Sequence, residues 1–260
     1  LVVLEEQDRT LWNRPQIDEA LPLVEESLRG EPGPFAIEAA IAAEHCKAAR
    51  AEDTNWPQIV KLYDLLAEVM PSPIVSLNRA VAIAMAQGPQ PALELIDELA
   101  ASGELDDYHL LHAARADMLR RLGANEEAAE SYQAALNLAT NDSERRFLER
   151  RLRELSFLNK GVTITLKDER EGRETEEVFH AEGGLKEMVR FLNTNRKPLH
   201  QEIVYIEAER DDIGIELALQ YNDGYSETVF SFVNNINTHE GGTHLTGFKS
   251  ALTRTINAYA

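Results

Sequence analysis

Apolar side chains recur every three or four positions through the first 155 residues and alternate with polar ones from residue 161 onward. The first pattern runs through "WPQIVKLYDLLAEVM", "IVSLNRAVAIAMA", "PALELIDELA", "YHLLHAARADMLRRL" and "EEAAESYQAALNLA", so each of these segments is predicted to be an amphipathic helix. Arg120 and Arg121 fall in a last turn before Gly123, and Asn125 is placed to cap the next helix with Glu126 and Glu127 at its positive end. The second pattern predicts a hairpin of "GVTITLKDE" and "TEEVFHAE" around "REGR", then a helix over "GGLKEMVRFLNTN". Three period-two strands follow, "EIVYIEAE", "GIELALQY" and "ETVFSFV", separated by "RDD" and "NDGYS", with a last helix over about 245–259.

The helical part repeats. Ala92, Ile96 and Leu99 match Ala128, Tyr132 and Ala135 with a shift of 36 residues, and Ile59, Tyr63 and Leu66 keep the same spacing 33 residues earlier. Pro71 follows Tyr63 by eight residues, where a tetratricopeptide (TPR) repeat ends its second helix. A period near 34 predicts TPR-like hairpins, each burying its face on the next. The order ββαβββα predicts an α+β domain for the rest. The fold class is therefore multi-domain, all-α followed by α+β, with domains at 1–150 and 151–260. A shared helix over about 143–160 joins them, because Leu148, Leu152 and Leu155 continue one apolar stripe across the seam in "RRFLERRLRELSFLNKGVTITL". Gly161 is placed to stop that helix before the strand.

Composition sharpens the seam. Residues 1–155 hold 26 Ala and 3 Thr, whereas 156–260 hold 6 Ala and 10 Thr. Ala favours helix and β-branched Thr favours a pleated surface. The net charge of −19 opposes nonspecific attraction to nucleic acid or an anionic membrane, so neither is an expected partner. One cysteine, Cys46, permits no internal disulfide, and no 18-residue apolar run is present. A cytoplasmic protein is the expectation. The first residue is not Met, which reads as a fragment.

Candidate chemistry is sparse. In "HEGGTHLTGFKS", His239 and His244 are five apart across two glycines, whereas a helical zinc site needs a spacing of four. In the same run Phe248 displaces Lys249 and Ser250 from the positions a phosphate loop requires. Gly241, Gly242, Thr243 and His244 read instead as a structural turn into the last helix, with Thr243 near its N-cap. Glu44, His45 and Cys46 have no further ligand at metal spacing and read as a buried helix face. His109 and His112 follow Asp106 and Asp107 closely enough for an acid/base grouping, although caps and packing explain such residues more often. "NDS" at 141–143 reads as a helix start, and Trp12 and Trp56 as packing residues. No catalytic, cofactor-binding or metal residue is assigned, and no cofactor is expected.

Two resemblances follow. "QDRTLWNRPQIDEAL", "AIEAAIAAEH", "DTNWPQIVKLYDLL", "PSPIVSLNRAVAIAMAQGP" and "DDYHLLHAARADMLRRLGANEEAAESYQAALNLATNDSERRFLERRL" together resemble the C-terminal TPR-like extension of bacterial extracytoplasmic-function RNA polymerase sigma factors. That resemblance covers residues 1–155 and implies a regulatory module contacting a protein partner, RNA polymerase or a regulator. Asp106, Asp107, Tyr108 and His109 are its most distinctive contact surface. From the seam onward, "RLRELSFLNKGVTITLKDER", "EGGLKEMVRFLN" and "LQYNDGYSETVFSFVNNINTHEGGTHLTGFKSALTRTINAYA" resemble DNA gyrase B. The stretch corresponds there to the end of the ATPase domain and the first half of the transducer domain. The family's catalytic Glu, Mg-binding Asn, glycine-rich lid and toprim carboxylates match nothing in it.

The resemblances imply a chimera-like, non-enzymatic chain: a protein-interaction module joined to a partial transducer. The alternative is a component of an ATP-dependent type II topoisomerase, gyrase-B-like, that needs ATPase parts from elsewhere. The transducer strands are expected to leave an open edge and an apolar face that invites self-association.

Overall fold

The structure is a computed structural model that describes residues 7–168, 175–211, 213–224, 227–233, 235–238 and 241–259. Helices α1 (Arg14–Ser27), α2 (Pro34–Lys47), α3 (Trp56–Val69), α4 (Pro73–Gln87), α5 (Pro89–Ser102), α6 (His109–Leu122), α7 (Asn125–Leu138) and α8 (Asp142–Leu158) come first, each packed on the next. Strands β1 (Thr163–Asp168) and β2 (Thr175–His180), helix α9 (Leu185–Leu192), strands β3 (Val204–Arg210), β4 (Ile213–Leu219), β5 (Phe232–Val233) and β6 (Ile236–Asn237), and helix α10 (Thr243–Tyr259) complete the described chain. The expected "REGR" turn and His239 lie outside the described residues, as do parts of the "RDD" and "NDGYS" turns.

Local chemistry sets the helix starts. Asn55, Ser72 and Asn141 each accept a bond from a backbone N–H of the first turn, from Gln58, Ile74 and Ser143 respectively. Gly123 closes α6 at φ +80°, a conformation that costs glycine nothing.

The repeated positions lie on α3, α5 and α7 and face the core. Ile59, Leu66, Ala92, Ile96, Ala128, Tyr132 and Ala135 are all buried. A second repeat lies in the charges: Arg79 on α4 reaches Asp64 on α3 at 2.6 Å, and Arg115 on α6 reaches Asp97 on α5 at 2.7 Å. Such exposed pairs contribute only about 0–1 kcal/mol each, so they fix orientation more than stability. Arg145 on α8 is buried and donates to the carbonyls of Leu136 and Ala139, satisfying groups left open at the end of α7.

At the seam, α8 is one uninterrupted helix, and its stripe of Leu148, Leu152 and Leu155 is buried. The same core holds Ala128, Tyr132 and Leu136 of α7 together with Ile164, Leu166 and Phe179 of the β1–β2 hairpin. One hydrophobic cluster thus crosses residue 150. The helix ends at Leu158, ahead of the glycine expected to stop it. Asn159 donates from its side chain to the Leu155 carbonyl, and Gly161, at φ +84°, serves the turn into β1.

The β region departs further from expectation. Among the described residues its sheets are three separate antiparallel pairs, β1–β2, β3–β4 and β5–β6. "ETVFSFV" does not add a third strand to β3–β4; only Phe232 and Val233 join a ladder, with Ile236 and Asn237. Asn235 turns the chain back at φ +62°, and Thr238 N–H closes the hairpin on the Ser231 carbonyl at 2.7 Å. Lys197 to Leu199 pair instead with Tyr221 to Asp223. Among the described residues, no helix is long and apolar enough to cross a membrane.

Candidate functional site

The residues that join the helical stack to the C-terminal segment form the most developed polar site. Tyr132 of α7 is fully buried, with Arg120 of α6 and Arg151 of α8 nearby. Burial pushes the Tyr132 phenol well above its usual range, and the Asp117 carboxylate adds to this. Burial works against the Arg120 cation, yet Asp117 and Tyr132 outweigh it and hold the guanidinium firmly charged. Arg120 Nη2 donates to Asp117 Oδ1 at 2.5 Å, and Arg120 Nη1 donates to the Asn235 carbonyl, also at 2.5 Å. Arg151 Nη1 donates to Glu154 Oε2 at 2.9 Å.

Three amides extend this clamp. Asn235 Nδ2 donates to Asn159 Oδ1 at 3.2 Å and reaches Asn125 Oδ1 at 3.5 Å, and Asn125 Nδ2 donates to Asn159 Oδ1. Asn125 therefore does not cap α7 as expected. It is the first residue of that helix, behind Ala124, and its amide is engaged by partners 34 and 110 positions away. The β5–β6 turn is thereby fastened to α6, α7 and the end of α8.

The surface expected at 106–109 is differently built. Asp106 and Asp107 are exposed, whereas Tyr108 and His109 are half-buried. The His112 ring Nε2 lies 3.0 Å from the Asp106 backbone carbonyl rather than its carboxylate. His109 Nε2 lies 3.3 Å from Glu144 Oε2 of α8, without an aligned hydrogen bond. The acid/base grouping of these histidines with Asp106 and Asp107 is not assembled.

Gly241 and Gly242, at φ +79° and +152°, lead into α10, which begins at Thr243. His244 Nε2 sits 2.6 Å from Ser231 Oγ and 3.4 Å from Thr238 Oγ1, and Thr238 Oγ1 donates to Ser231 Oγ at 2.8 Å. Ser231 is buried, and no spacing signal in the sequence points to it. A nucleophilic serine needs a base that is itself oriented by a third group. These contacts staple the turn to α10. Among the described residues there is no group of three or more His, Cys, Asp or Glu side chains suited to a metal. His45 packs edge-on against Trp56 at 5.2 Å, and burial lowers its pKa, with Arg9 adding to the effect.

A last cluster is exposed. Lys160 Nζ, just beyond α8, contacts Tyr205 Oη at 2.5 Å, Glu216 Oε1 at 3.0 Å and Glu207 Oε2 at 3.5 Å. Hydrogen bonds to Tyr205 and Glu216 push the Lys160 pKa up. These contacts tie β3–β4 to the body of the molecule.

Against known proteins, residues 184–260 match the family model described as DNA gyrase B. That stretch is similar to DNA gyrase B. The gyrase B protein of Staphylococcus epidermidis is 56% identical over 112 residues, which are 43% of this chain and 17% of that protein. The gyrase B protein of Clostridium acetobutylicum is 58% identical over 114 residues, 44% of this chain and 18% of its own length. The chain thus spans less than a fifth of the curated relatives it matches. Among solved structures, the 43K ATPase domain of Thermus thermophilus gyrase B in complex with an aminocoumarin aligns at 32% identity and a TM-score of 0.41. The alignment covers 48% of this chain and 32% of that one.

Proposed function

We propose that the chain is a non-catalytic component of a gyrase-B-type DNA topoisomerase, in which a helical-repeat scaffold holds a transducer segment. Any ATP-driven step would use nucleotide-binding parts outside residues 1–260. The observation that carries this reading is the identity of 56–58% to gyrase B proteins. The clamp of Arg120, Asn125 and Asn159 on Asn235 supports it, because it gives the scaffold a direct hold on that segment. Phosphoryl transfer depends on positioning and on neutralising phosphate charge. The polar clusters described above are engaged in holding helices and turns together. The test is ATP binding and DNA-stimulated ATP hydrolysis by the purified chain, alone and mixed with full-length S. epidermidis gyrase B. No turnover alone, together with altered hydrolysis by the mixture, is expected. ATP turnover by the isolated chain would overturn the proposal.

A second reading treats residues 1–155 as a regulatory contact module like the sigma-factor extension. The hairpin repeat on α3, α5 and α7 favours it, since stacked hairpins present extended binding surfaces. Capture of RNA polymerase by the intact chain, lost on substituting Asp106 and Asp107 by Lys, is its expected signature.

A further inference from the structure

The two edges of the helical stack are unlike. Short turns join successive helices, so α2, α4 and α6 start at one edge and α3, α5 and α7 at the other. The second residues of α2, α4 and α6 are Phe35, Ile74 and Leu110, which are 83%, 44% and 44% exposed. The second residues of α3, α5 and α7 are Pro57, Gln90 and Glu126. Single exposed apolar residues are ordinary, but one helical position filled three times along one edge makes a row. Val69, at the end of α3, lies at that edge and is exposed as well.

Charge follows the same division. The turns and helix ends leading into α2, α4 and α6 carry Glu31, Glu68, Glu104, Asp106 and Asp107, all exposed, against one cation, Arg29. Among the described residues none of these five carboxylates forms an ion pair. At the opposite edge Arg50 pairs with Glu52 and Asp53, and Arg120 and Arg121 end α6.

We propose that the edge running from Phe35 through Ile74 to Leu110 docks a basic segment of a partner protein. Apolar side chains of that segment lie on the row, and its Lys or Arg side chains meet the five carboxylates. Burying the apolar anchors supplies affinity, and opposite charge steers the encounter and selects the partner. The surface includes Asp106 and Asp107 and so deepens the regulatory-contact reading. A synthetic peptide tests it without RNA polymerase, so the two can fail separately.

The probe is a fluorescein-labelled amphipathic peptide of Leu and Lys, followed by fluorescence anisotropy with the full chain. Binding that weakens with salt is expected, and a counterpart with Glu in place of every Lys should not bind. Ile74→Ser with Leu110→Ser should weaken binding by about tenfold, at unchanged circular dichroism, because both side chains are already partly in water. Asp106→Asn with Asp107→Asn should weaken it severalfold. The decisive control neutralises two exposed carboxylates away from the edge, Glu98→Gln on α5 with Glu130→Gln on α7, and should change affinity by less than about twofold. No binding of the Leu and Lys peptide overturns the proposal. So does binding that survives both edge variants, or that falls equally in the control, which would show attraction to the net charge of the chain alone.

Discussion

The β1–β2 and β3–β4 hairpins are both two-stranded and antiparallel, and both show period-two patterning, yet their apolar residues meet opposite fates. Ile164, Leu166 and Phe179 are 5%, 5% and 4% exposed against α7 and α8, whereas Ile206, Ile213 and Ile215 are 50%, 64% and 58% exposed. An isolated two-stranded hairpin is marginal in water, so its neighbours decide its stability. The first hairpin has become part of the helical core. The second is tied down by α9 and by the solvated Lys160 cluster. Alternation in sequence therefore announces a strand without announcing what covers it.

The sharpest way to break this contrast is to cut side chains on either side of it. Phe179→Ala should cost about 3–5 kcal/mol, because it opens a cavity in a core shared by α7, α8 and the hairpin. Ile215→Ala should stay within about 0.5 kcal/mol, since that side chain is already in water. Urea unfolding followed by far-UV circular dichroism measures both, and comparable losses would remove the distinction.

Next comes the clamp. Arg120→Ala should destabilise by about 2 kcal/mol, leaving the Asn235 carbonyl and the buried face of Tyr132 without their partner. Hydrogen exchange at residues 231–238 should accelerate in the same variant. If only α6 responds, the turn is not held by Arg120.

Within the helical part, dependence on pH should run in two directions. His45 has a lowered pKa in the folded state, so the unfolded chain binds more protons below about pH 6.5 and stability falls as pH drops through that range. Tyr132 has a raised pKa, so above about pH 10 the unfolded chain releases a proton that the folded one keeps, and stability falls as pH rises. Thermal melts across pH check both, and His45→Gln and Tyr132→Phe should flatten the respective limbs.

The smallest effect is expected at Lys160. Its partners are exposed and screened by salt, so Lys160→Met should leave the unfolding midpoint of the helices unchanged while exchange in β3 and β4 quickens. A shifted helical midpoint would mean that the second hairpin shares the core after all.

How much of this was legible depended on the range of the interactions involved. The helices α3 to α8 and the strands β1 to β4 follow from local periodicity, and the stripe Leu148, Leu152, Leu155 announced that α8 continues across the seam. Residues whose role is fixed by distant partners were not legible. Asn125 has the chemistry of a cap, but Asn159 and Asn235 claim its amide. "ETVFSFV" has the alternation of a strand, yet the turn at Asn235 folds its end onto Ile236 and Asn237. Of the candidate residues, Asp106 and His109 are near in sequence, but Glu144 of α8 is the carboxylate beside His109. Ser231 gave no signal because its partner His244 lies beyond an intervening turn.

The difference between the two hairpins is tested most directly by hydrogen exchange with mass spectrometry on the intact chain under native conditions. Strands β1 and β2 should exchange slowly, together with α4 to α8, and β3 and β4 at least about a hundredfold faster. Equal protection of the two hairpins, or β1–β2 exchanging with β3–β4 rather than with α8, would show that the first hairpin is not part of the helical core.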